Sequence, residues 1–248
     1  MSSKVLKLSL LSLAMCGLGA AQSVSAVTFS AASGSRAASV SFNLVGGDLE
    51  VVLTNTSASD TLVPTDVLTA VFFDISGADP TLSRTSAVLT AGSTVIYDSA
   101  PAGGVVGGEW AYASGLSGAP LGADYGISSS GFGLFGPGDL FPGVDLEPPA
   151  SPDGVQYGLV TAGDLASTGN GGITGSGGLI KNSVTFTLGS VPTGFSVSQI
   201  GNVSFQYGTG LDEPNIPAIP EPETYAMLLA GLGLMGFVAR RRSRKQAS

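Results

Sequence analysis

Apolar and polar residues alternate along four separate runs of this chain. Val40, Phe42 and Leu44 enclose Ser41 and Asn43. Leu49, Val51 and Leu53 follow, then Val184, Phe186 and Leu188 around Thr185 and Thr187, and Val203, Phe205 and Tyr207 around Ser204 and Gln206. A period of two places alternate side chains on opposite faces of a strand, so each run predicts a strand with one buried face. Gly46-Gly47 separates the first two runs and predicts a two-residue hairpin turn. Residues 70–75, 86–89, 94–97, 109–113 and 155–160 are further strand candidates. No helical period stands out between the two ends of the chain. Short strands divided by Gly, Pro and Ser predict an all-β fold, an antiparallel β-sandwich or a jelly-roll-like body.

The stretch from Gly115 to Asp153 breaks the pattern. It contains Gly131-Phe132-Gly133-Leu134-Phe135-Gly136 and Glu147-Pro148-Pro149. Its phenylalanines predict a long loop that packs on the sheet. Gly169 to Gly178 reads as a more mobile patch. The body is assigned to residues 27–211 as a single β domain, with 212–219 as a linker.

The two ends follow a different logic. Lys4 and Lys7 precede an apolar stretch that closes on Val24-Ser25-Ala26. This is the plan of a secretory signal peptide over residues 1–26, a signal helix with cleavage expected after Ala26. Cys16, the sole cysteine, lies inside it, so the mature chain is expected to hold no disulfide. At the other end Thr224 to Ala239 carries no charge over sixteen residues. As a transmembrane helix it spans about 24 Å against a hydrocarbon core of about 30 Å, marginal for a permanent anchor. Arg240, Arg241, Arg242, Arg244 and Lys245 follow as a basic tail within residues 240–245. Such a cluster stays on the cytoplasmic side, while the signal peptide sends the body outward.

Pro220-Glu221-Pro222, the apolar run and the arginine-rich end, in that order, resemble the PEP-CTERM sorting signal of Gram-negative bacteria, here residues 220–245. The resemblance implies an exosortase as processing partner. It also implies a transient single-pass form in the inner membrane, followed by the cell surface or the extracellular matrix. The two prolines hold an extended peptide that cannot continue a helix backwards. Segments of the body beginning at Leu53, Gly107, Gly131 and Ser204 are similar to exosortase-dependent surface proteins, which implies a destination and a single-domain layout.

Charge narrows the remaining classes. Charged residues make up 11% of the chain, against about 25% in ordinary domains. Between residues 27 and 217 the basic residues are Arg36, Arg84 and Lys181, against sixteen acids, a net charge near −13. Such a surface repels nucleic acid and anionic lipid, so no nucleic-acid partner is expected. The chain has no histidine. With no mature cysteine either, Ser-His-Asp and Cys-His catalysis and the usual zinc and copper sites are excluded. No catalytic residue, metal or cofactor is assigned.

Carboxylates are the remaining reactive groups. Glu109 beside Trp110 and Tyr112 fits an acid next to a glycan-stacking platform; the simpler reading makes Glu109 a strand-surface residue and Trp110 core. Asp139, Asp145, Glu147 and Asp153 supply the hard oxygens calcium prefers, or are solvated loop acids. The expected role is structural or interactive, in exopolysaccharide or biofilm, and not enzymatic. The alternatives are a carbohydrate-binding module using Trp110 and Tyr112, or a carboxylate-dependent glycan hydrolase.

Overall fold

A computed structural model describes residues 26–77, 79–175 and 177–220. Fourteen strands are connected by loops and single-turn helices: β1 (Ala26–Ser33), β2 (Arg36–Val45), β3 (Asp48–Asn55), β4 (Leu68–Ile75), β5 (Ser83–Leu89), β6 (Thr94–Ile96) and β7 (Ala111–Ser114), then β8 (Tyr125–Ser128), β9 (Leu159–Val160), β10 (Leu179–Lys181), β11 (Ser183–Gly189), β12 (Ile200–Tyr207), β13 (Asn215–Pro217) and β14 (Ile219–Pro220). The first sheet has the order β14-β1-β2-β3-β11-β5. The second runs β13-β12-β4-β9-β10-β6, with β8 on β4 and β7 on β8. Pairing is antiparallel except between β9 and β10. The body is all-β, as the alternation predicts.

The alternate residues of β2, β3, β11 and β12 point into the core. Val40, Phe42, Leu49, Val51, Leu53, Val184, Phe186, Leu188, Val203, Phe205 and Tyr207 are all buried in one cluster shared by both sheets. Phe42 of the first sheet meets Phe73 of the second at 5.1 Å between ring centroids. Trp110 meets Phe186 at 5.0 Å. Gly46 and Gly47 form the β2–β3 turn, both with positive φ. That is the conformation a two-residue hairpin demands and glycine adopts freely.

β4 is apolar on both faces because both are covered. Leu68, Val71, Phe73 and Ile75 join the inter-sheet core, while Ala70 and Phe72 face outward into a second cluster. Phe132 and Phe135 from the long stretch close that outer face, at 6.2 Å and 6.1 Å from Phe72. Two strand candidates shrink. Residues 109–113 give only β7, with Glu109 in a preceding single turn, Gly107–Glu109. Residues 155–160 give only β9. The patch expected to be mobile holds a helical turn, Gly171–Thr174, capped by the Asn170 side chain and pinned by buried Ile173.

The segment 212–219 is not a linker. Asn215–Pro217 pairs with β12, Phe205 opposite Ile216. Ala218 N–H donates to the Val203 carbonyl at 2.8 Å, and Ile219–Pro220 then crosses to β1. The chain end thus closes one side of the sandwich onto both sheets. Ile216 and Ala218 pack against the core. Purified residues 27–211 are therefore expected to unfold in urea about 3 kcal/mol more easily than residues 27–220, from several lost hydrogen bonds and the burial of Ile216. Equal midpoints would show that the segment adds nothing to the fold.

Candidate functional site

The stretch Gly107-Gly108-Glu109-Trp110 sits where the long loop folds back on the sandwich. A Cβ at Gly107 or Gly108 would strike the carbonyls of Pro142 and Val144, so only glycine lets the loop approach this closely. The approach delivers two amides to one carboxylate. Glu109 Oε1 accepts from Leu146 N–H at 2.5 Å and from Glu147 N–H at 3.1 Å. Glu109 is 3% exposed. Burial pushes its carboxyl above the ordinary glutamate range, the two amides pull it back, and Asp145 and Asp153 push it up again. Glu109 is therefore neither a strand-surface residue nor an acid open to a substrate. It fastens the loop.

Trp110 is fully buried. Its indole N–H donates to the Tyr157 carbonyl at 3.1 Å, and its ring packs on Phe186. Tyr112 is buried as well, with its phenol pushed up mainly by desolvation. Neither ring presents a face to solvent, so the platform of Trp110 and Tyr112 does not exist in this fold. Both rings are drawn inward because the inter-sheet core needs large side chains at this end.

Of the long-loop acids, Asp139 is committed locally. Asp139 accepts from Gly136 N–H at 2.9 Å and lies 3.4 Å from Arg84 Nη1. Asp153 titrates above the usual range, through burial and then through Asp145. Among the described residues no group of three or more His, Cys, Asp or Glu side chains could hold a metal ion.

A second tie joins distant loops without any local sequence signal. Asp164 Oδ1 accepts from Thr61 N–H at 2.6 Å, and Asp60 Oδ1 accepts from Leu165 N–H at 3.3 Å. Lys181 Nζ donates to the Asp164 carbonyl at 2.7 Å. The Thr61–Asp164 and Asp60–Leu165 partners lie over a hundred residues apart, beyond what spacing can reveal. Tyr157 donates its hydroxyl to Asp98 at 2.8 Å, and the Ser99 amide, with this hydroxyl second, holds the Asp98 carboxyl below its ordinary value.

The remaining candidate is the chain end. Ala26, the expected cleavage residue, begins β1 opposite Asn43. Pro220 lies opposite Phe29, and Ile219 opposite Ser30. Glu221, Pro222, the apolar run 224–239 and the basic tail lie outside the described residues, as does the signal segment before Ala26. Residues 218–242 match the family model of the PEP-CTERM protein-sorting motif. The chain carries a PEP-CTERM sorting motif. No curated protein and no solved structure matches the chain. The PEP-CTERM motif implies an exported protein that depends on an exosortase and is held transiently in a membrane before processing. The matched segment begins at Ala218, so it overlaps the residues that close the sandwich. Among the described residues no helix is long and apolar enough to cross a membrane.

Glu109 generates a prediction with a definite sign. Its raised folded-state pKa means that its contribution falls as pH rises from below the ordinary glutamate value through the raised one. The stability of Glu109→Gln relative to wild type is expected to improve between pH 4 and pH 7, read by urea unfolding at each pH. Glu109→Ala removes the acceptor of two amides and is expected to cost about 2 kcal/mol. A flat Gln-minus-wild-type difference would contradict the burial of the carboxylate.

Proposed function

We propose that this chain is an exported bacterial surface or extracellular-matrix protein, delivered through an exosortase, whose β-sandwich has a structural or interaction role in exopolysaccharide or biofilm. The observation that carries the reading is the sorting motif at residues 218–242, joined directly to a folded body. The outer face of the first sheet supports the matrix role. The register sets Ser30, Ser39 and Thr54 in one row, Thr28 and Ser41 with Thr185 beyond Val52 in the next, and Asn43, Glu50, Thr187 and Ser86 in a third. The residues of these rows are partly exposed, although Asn43 Oδ1 itself is buried. Such a face suits hydrogen bonding to neutral glycan chains over a broad area and asks for no chemistry. The non-enzymatic reading is in keeping with Glu109, whose carboxylate is taken by Leu146 and Glu147.

The test is fractionation of cells making an internally tagged protein, with and without the exosortase. The body is expected to leave the inner membrane only when the enzyme is present, and then to sediment with matrix polysaccharide. A body that stays in the inner membrane in both strains would overturn the sorting route. A released body that never associates with polysaccharide would overturn the matrix role.

A further inference from the structure

The pairing of Phe29 with Pro220 and Ser30 with Ile219 makes β14 antiparallel to β1. At Pro220 the chain therefore leaves the sheet heading toward the start of β1, where Ala26 joins the signal segment. Both membrane-directed ends of the precursor depart from one corner of one sheet edge. The apolar run begins at Thr224, four residues beyond Pro220. Four residues reach at most about 14 Å even when fully extended. With that run in the membrane, the β1–β14 edge stands close to the bilayer surface with almost no slack.

An enzyme acting on a peptide must draw several residues on each side of its target into its own cleft. Here the residues just before the motif are already engaged. Asn215–Pro217 is paired with β12, Ala218 is bonded to Val203, and Ile219–Pro220 is paired with β1. These engagements differ in strength. Ile216 and Ala218 pack against the core, whereas Ile219 is 70% exposed. β14 has two residues and lies at the sheet edge, so it belongs to the low-stability end of the fold. Opening it uncovers little apolar surface and leaves β13 in place.

We propose that β14 is a release strand that gates processing: it holds the first proline of the motif on the β1 edge, and the exosortase acts on the population in which β14 has opened. The proposal rests on the sorting reading above. It makes processing report on a local opening of the folded body.

The absence of cysteine from residues 27–248 permits a clean test. Ser30 and Ile219 are directly opposed. Directly opposed antiparallel residues have Cα atoms about 4.5–5.5 Å apart, within the span of a disulfide. The full-length chain carrying Ser30→Cys and Ile219→Cys is followed in cells with and without the exosortase, with disulfide formation verified by alkylation. Because cleavage of a transiently opened segment tracks its open population, processing of the oxidised double variant is expected to be at least about tenfold slower than wild type. Reductant, or either cysteine alone, restores the rate. A short Gly-Ser insertion between Pro217 and Ala218 leaves residues 218–242 intact and is expected to be processed at least as fast as wild type. Equal rates for the oxidised variant and wild type, or a slowed insertion variant, overturn the gate. A wild-type chain that no exosortase processes overturns the sorting reading beneath it.

Discussion

Phe42 meets Phe73 across the two sheets, and Trp110 packs on Phe186 and closes the same core nearby. The rest of the body depends on this apolar contact, because the composition offers little else. Residues 27–248 hold no cysteine to cross-link. The described residues contain two ion pairs, Arg36–Asp66 and Arg84–Asp139, both partly exposed. Partly exposed pairs contribute little. Burial between the sheets must therefore offset most of the chain entropy. That requirement fixes the role of Trp110. A lone tryptophan on a glycan-facing surface would have left a gap at the end of the core. The same requirement explains why the long loop contributes Phe132 and Phe135 to the outer face of β4.

Once the sheets are joined, the position of the chain end follows. Residues 215–220 run from the edge of the second sheet to the edge of the first. They cover β12 along β13 and part of β1 along β14, which blunts two edges that would otherwise invite strand pairing with other chains. The sorting signal is attached at this closure, so the address begins inside the cargo it directs. A transient membrane hold and a folded body are then compatible, since only a few residues separate them.

The strands were legible from alternation alone: residues 40–44, 49–53, 184–188 and 203–207 lie in strands, and all their alternate apolar residues except Leu44 are buried, but Ser204 and Gln206 are buried too, so β12 is covered on both faces and not on one as the alternation predicts. The hairpin at Gly46-Gly47 was legible for the same reason, since its chemistry is local. The closing segment was not. Pro214 and Pro217 fall in the segment read as linker and Pro220 in the sorting motif, yet proline is tolerated on an edge strand, where an N–H can go unused. β13 and β14 are both edge strands. Glu109 was misread because its partners, the amides of Leu146 and Glu147, come from a loop that only the tertiary fold brings back. The reciprocal tie of Asp60 and Asp164 escaped for the same reason. The sorting motif was legible because export signals are read as linear sequence and need no fold to be seen.

The most direct test of the account is the intact mass of the mature protein recovered from cells that contain the exosortase. The expected product is a chain that begins at Val27, retains Asn215–Pro217, and has lost the apolar run and the arginine-rich tail. A chain that still extends to Ser248, or one cut upstream of Asn215, would contradict it.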